Sequence, residues 1–157
     1  MRCLLVALLC VALVRGAEPA GIAPSGTRRP DFARVTVEPT WTSIYLGTVS
    51  LRMPGFGRRG GTYESPYTAK VLPFFFYNEQ GRLSVDLDDD ALARLGRGES
   101  VSFKGRAIRS SGEERPVEGK ATPVDSLTGK LKVRVLVSTK IELIFNTTYR
   151  FAALPPP

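Results

Sequence analysis

The chain has 157 residues, with 22 Lys+Arg against 15 Asp+Glu, a formal net charge of +7, two cysteines and no histidine. These absences exclude a Ser-His-Asp or Cys-His nucleophile system and zinc or copper sites built on His and Cys. Any chemistry is left to carboxylates, Lys, Tyr or Ser, and the length suits one domain with a core of its own.

Residues 1–16 read as a secretory signal. Arg2 supplies the positive start, and Cys3 to Val14 form an apolar run of twelve residues. A bilayer span needs about 20 residues, so this run has the length of a signal core and not of a membrane helix. Val14 and Gly16 place small residues at −3 and −1, which makes Ala17 the expected mature N-terminus. A lipoprotein signal at Cys10 fits less well, because Leu9 before it is bulky. The expected location is secreted or periplasmic. Both cysteines leave with the signal, so the exported chain forms no disulfide. Losing Arg2 and Arg15 lowers the net charge from +7 to +5. A modest positive excess favours anionic partners such as an envelope polymer or lipid headgroups. The basic residues are scattered, however, and only Arg28-Arg29 and Arg58-Arg59 are adjacent, so a solvated mixed surface is the simpler reading.

Residues 17–31 are rich in Ala, Pro and Gly and read as a flexible leader, followed by a single β-domain over 32–154 and a proline tail at 155–157. Strands are expected at Phe32 to Val37 and Ile44 to Met53. Next comes PGFGRRGG, in which Gly55, Gly57 and Gly60 match G-x-G-x-x-G. A dinucleotide loop requires a helix after it, so that phosphate meets the helix N-terminus. Here Gly61 to Pro66 are poor helix formers, so the segment is expected to be a hairpin loop. Its Phe56, Arg58 and Arg59 are the candidate anion- or surface-contacting residues. Aromatic and arginine groups together also suit nucleic acid, but export and scattered charge argue against that partner.

Strands at Tyr67 to Tyr77 and Arg82 to Leu87 are expected to be joined by a turn at Asn78-Glu79-Gln80-Gly81. Pro73 argues for a bulge or edge, and Phe74-Phe75-Phe76 for burial on both faces or for a face packed against the helix that follows. Asp86, Asp88 and Asp90 begin like a calcium loop, yet Ala91 stands where glycine is needed and Arg97 where a carboxylate is needed. A helix explains every residue instead: Asp88 caps it, Asp89 and Asp90 favour its positive end, Leu92 and Leu95 face the core, and Gly96 stops it. No metal site and no cofactor are expected.

Two similar pentads, Phe103 to Ala107 and Val117 to Ala121, suggest a hairpin about Gly112 with Gly105 opposite Gly119 and Arg106 opposite Glu118. Leu131 to Val137 and Ile141 to Phe151 alternate strictly, and a turn at Thr139 pairs Val137 with Ile141, Val135 with Leu143 and Val133 with Phe145. Glu118 and Glu142 fall on the outward face, which disfavours them as a hydrolase pair. Asn146-Thr147-Thr148 is a glycosylation sequon on a polar strand face.

The expected fold is all-β, an antiparallel β-sandwich or small barrel of about eight strands with one short helix. No catalytic residues are assigned. The leading functional expectation is an exported, non-enzymatic β-domain acting by binding or as a structural envelope component. The alternatives are a small barrel carrying an apolar or lipid-like ligand and, third, a carboxylate-dependent hydrolase. The inner face decides between a carrier and a packed core: Gly105, Ala107, Gly119 and Ala121 leave room, whereas Phe103, Phe145, Tyr149 and Phe151 fill it. N-terminal sequencing of the protein recovered from outside the cytoplasm is expected to begin at Ala17; a retained Met1 would contradict the signal.

Overall fold

The structure, a computed structural model, describes residues 30–155. The signal, nearly all of the leader and the last two prolines lie outside the described residues. Alternating segments form β1 (Pro30–Val37), β2 (Thr40–Ile44), β3 (Gly47–Arg52), β4 (Phe56–Arg59), β5 (Thr62–Leu72), β6 (Glu79–Asp86), β7 (Val101–Arg109), β8 (Glu114–Pro123), β9 (Thr128–Ser138) and β10 (Ile141–Ala153). A helix, α1 (Asp89–Gly96), links β6 to β7, and a 3-10 turn spans Phe75–Tyr77.

All pairings are antiparallel. The order β2-β3-β5-β4-β1-β10-β9-β8-β7-β6 closes because β6 pairs again with β5. The result is an eight-stranded antiparallel barrel with one short helix, not a sandwich. Prolines explain how ten strands fill eight places. Pro39 interrupts β1–β2, which runs beside β10, and Pro54 interrupts β3–β4, which runs beside β5. Proline cannot donate to the ladder, so each long strand breaks there and bends. β2 is tied to β10 through side chains: Thr40 Oγ1 donates to the Asn146 carbonyl at 2.9 Å, and Thr147 Oγ1 donates to the Glu38 carbonyl at 2.8 Å.

The two ends of the barrel differ. At one end lie α1, the β4–β5 turn and the first and last described residues. Leu92 and Leu95 are buried there, with Leu95 close to Phe56, Tyr63, Phe103 and Phe151. The inner glycines do not leave a chamber. A Cβ on Gly119 would lie 2.1 Å from the Phe103 ring, and one on Gly129 would lie 2.5 Å from the Tyr149 ring, so the rings fill the space the glycines release. The void that remains is about 70 Å³ and wholly apolar in its lining. This half of the barrel is packed core.

Local signals were read correctly at the helix. Asp88 Oδ1 accepts from the Ala91 amide at 2.7 Å, and Asp89 and Asp90 occupy the first turn. Gly96 is the last residue of α1; Arg97 is its C-cap, and Gly98 takes the left-handed φ of +85° that closes the end and that only glycine adopts without cost. Asp86 accepts instead from Thr62 Oγ1 at 3.0 Å.

Several strand expectations are corrected. β1 begins at Pro30, inside the expected leader. Ile44 to Met53 is not one strand, because the chain turns at Tyr45-Leu46 between β2 and β3. β5 runs Thr62–Leu72, and Glu79 and Gln80 open β6 instead of forming a turn. Phe75 and Phe76 are 71% and 67% exposed, because β5 has ended and the phenylalanines sit in the connection, not in a sheet. In β7–β8 Gly105 faces Val117, Gly119 faces Phe103 and Arg106 faces Pro116, two residues from the expected register. The hairpin turns earlier, with Gly112 at a φ of +88° inside the turn and not opposite itself at its centre. Val135–Leu143 and Val133–Phe145 pair as expected, whereas Ile141 pairs with Ser138 across a bulge and so misses Val137.

Asp88→Ala removes the cap without touching the barrel wall. It is expected to lower stability in urea by about 0.5–2 kcal/mol, equally with and without calcium. Stabilisation of the wild type by calcium alone would contradict the capping role.

Candidate functional site

PGFGRRGG does not form one exposed surface. Phe56 to Arg59 is β4, and alternation sends its side chains to different places. Phe56 is buried in the core, which corrects its expected contact role. Arg58 is also engaged: its Nη2 lies 2.8 Å from Asp89 Oδ1 and 3.4 Å from the Leu87 carbonyl, with the guanidinium 5.9 Å from the Tyr63 ring centre. It clamps the start of α1 to the barrel. Arg59 alone of the three is exposed. Glu142 is exposed and pairs with Arg134 at 3.3 Å, and Glu118 and Asn146 also face outward.

The concave feature is at the other end, where the β2–β3, β5–β6, β7–β8 and β9–β10 connections meet. A cavity of about 820 Å³ opens between them. Ile44, Val49, Ala69, Val71, Val137 and Leu143 form its apolar wall, with Phe74 and Tyr77 at its edge. The β5–β6 connection is held by Asn78, whose Oδ1 accepts from the Val71 amide at 2.7 Å.

One side of the cavity is polar. Glu79, at the start of β6, accepts from Arg115 Nη1 at 3.0 Å and from Arg109 Nε at 3.1 Å. Tyr67 Oη donates to Glu79 Oε1 at 3.1 Å. Burial, and then the Glu79 carboxylate, push the Tyr67 hydroxyl up to about 12, so it keeps its proton and remains a donor. Arg109 Nη1 also donates to Glu113, and that hydrogen bond holds the Glu113 carboxyl below the ordinary carboxylate range. Two arginines thus face two glutamates, and the cluster is charge-compensated. Arg115 and Glu79 are each only 12% exposed at the side chain, so the pairing is set within the wall and not in open water.

None of Glu79, Arg109, Arg115 or Tyr67 was a candidate in the sequence. A signal existed, because Arg109 follows Ala107 and Arg115 precedes Val117 at inward-facing positions of alternating strands. An arginine in phase with the core must find a partner inside.

The clamp gives a direct contrast. Arg58→Ala is expected to cost about 1–2 kcal/mol in urea denaturation, since it removes a charged hydrogen bond and the ion pair together. Arg59→Ala is expected to cost less than about 0.5 kcal/mol. Equal losses would show that Arg58 is as free as Arg59.

No family model, curated sequence or solved structure matches this chain.

Proposed function

We propose that the protein is an exported, non-enzymatic binding barrel that carries one apolar, lipid-like ligand in its mouth. The observation that supports this reading is the open cavity of about 820 Å³, apolar on most of its wall and polar at one side. Drug-sized ligands occupy clefts of about 300–1,000 Å³ with this balance of lining. Eight strands enclose just enough room for side chains or for one small ligand. Here the end closed by α1 uses its interior for packing, and the mouth keeps its space.

The compensated cluster narrows the ligand class. Glu79 and Glu113 together already balance Arg109 and Arg115, so a charged headgroup beside them would leave one charge unmatched in a sheltered site, while the buried Arg115 Nε still lacks an acceptor. An uncharged hydroxyl, ester or amide can share the donors without that penalty. The ligand is therefore an amphiphile with a small neutral head and an aliphatic body.

Native mass spectrometry of the protein from its host is expected to show a co-purifying neutral amphiphile. In titrations, a long-chain alcohol is expected to bind more tightly than the carboxylate of equal length. Val71→Trp, which fills the cavity from its wall, is expected to abolish that binding while the urea midpoint stays close to wild type. Binding unchanged by Val71→Trp, or absent from the wild type, would reject the carrier.

A further inference from the structure

Eight of the thirteen large apolar side chains left in water among the described residues gather at the mouth, whereas Ile108, Val124, Leu136, Ile144 and Leu154 are scattered elsewhere. Tyr45 and Leu46 form the β2–β3 turn, Leu72 ends β5, and Phe75, Phe76 and Tyr77 belong to the β5–β6 connection. Trp41 and Ile141 flank them on β2 and β10. These residues are exposed to between 52% at Ile141 and 98% at Tyr45. The crown is continuous with the cavity, since Tyr45, Leu46, Tyr77 and Ile141 also line its opening. Phe76 lies tilted against Tyr77 at 4.6 Å and meets Phe75 and Phe74 edge-on at 6.1 and 5.9 Å, so the rings form one surface. A contiguous apolar patch on one end marks a contact surface and not the scatter of single residues that any protein exposes.

The charges around the crown select what it contacts. Every carboxylate on the strand ends at the mouth is already paired: Glu79 with Arg109 and Arg115, Glu113 with Arg109, Glu114 with Arg106 at 3.9 Å, and Glu142 with Arg134. Lys70, near the end of β5, and Lys140, in the β9–β10 turn, have no ion-pair partner among the described residues. The charge left over at this end is positive, beside aromatic rings that carry polar tips in Trp41, Tyr45 and Tyr77. Aromatic rings of this kind settle at the boundary between headgroups and acyl chains, and free lysines add attraction to anionic lipid.

We infer that the mouth of the barrel docks on an anionic lipid bilayer, with the Tyr45–Leu46 turn and the Phe75–Tyr77 connection entering the headgroup layer. Docking rests on the carrier reading only for its purpose: it sets the cavity opening against the bilayer, so an amphiphile passes between membrane and barrel without crossing water.

Vesicle flotation tests the inference with phosphatidylcholine alone and with phosphatidylcholine mixed with phosphatidylglycerol. The wild type is expected to float with the mixed vesicles and more weakly with the neutral ones. The double variant Phe75→Ser/Phe76→Ser, at positions already in water, is expected to lose at least about tenfold in affinity for both. Lys70→Gln/Lys140→Gln is expected to lose about fivefold or more per lysine on the mixed vesicles, near a factor of one on the neutral ones. Failure of the wild type to float, or flotation unchanged in the phenylalanine variant, would overturn docking. So would a wild-type dimer in size-exclusion chromatography that Phe75→Ser/Phe76→Ser dissociates, because the crown would then be a self-interface. The long-chain alcohol titration without vesicles separates the two proposals. Flotation without alcohol binding overturns the carrier and leaves docking standing, whereas alcohol binding without flotation does the reverse.

Discussion

Closure of the sheet through β5 and β6 is the constraint on which the other features depend. Eight antiparallel positions fix the bore, and strict alternation decides which side chains enter it. From that bore follow the ring-on-glycine contacts of Phe103 with Gly119 and Tyr149 with Gly129. The same constraint forces Arg109 and Arg115 inward when their strands run past the apolar layer, and Glu79 meets them because β6 neighbours β7 in the ring. The ion-paired wall is thus a by-product of phase, turned into one side of a cavity.

The two ends solve different problems with the same strands. At one, a short capped helix lays Leu92 and Leu95 over the bore, and Arg58 fastens its first turn. At the other, no α-helix among the described residues covers the opening, and the connections carry aromatic residues outward instead. A barrel stoppered at one end has a single route in and out. The stoppered half is filled by rings and by Leu92 and Leu95, whereas the open half carries a polar cluster in its wall and exposed rings on its loops.

What was legible in the sequence was local or periodic. Alternation in 131–151 gave the faces and most of the register of β9–β10, and Asp88 announced its cap by its position before Asp89, Asp90 and an apolar pair. What escaped needed information from elsewhere in the chain. Tyr45-Leu46 is marked as a turn only by Gly47 after it, and the apolar run on both sides reads as one strand. The two glycine-bearing pentads fit two registers of equal parity, and only the geometry of the turn chose between them. Hydrophobicity alone read Phe74 to Phe76 as core, because composition cannot tell a strand from the connection after it. The Glu79–Arg115 pair spans 36 positions and exists only once β6, β7 and β8 lie side by side. Arg58 looked like half of a solvated pair until α1 was folded against it.

Pro39 has a consequence beyond the bend it makes. Where β1 gives way to β2, the backbone ladder with β10 stops, and threonine hydroxyls bridge the gap instead. Around the rest of the ring every strand has a neighbour on both sides, and strand-to-strand copying between molecules finds no template. Along this seam, backbone groups of β2 and the facing part of β10 lack such a partner. The seam is short, since β2 has five residues, and a proline stands at its head. Those are the features by which β proteins keep an open edge from recruiting a second chain. The one stretch of this ring where a strand from a second molecule would find an incomplete ladder is therefore a few residues between Pro39 and Ile44.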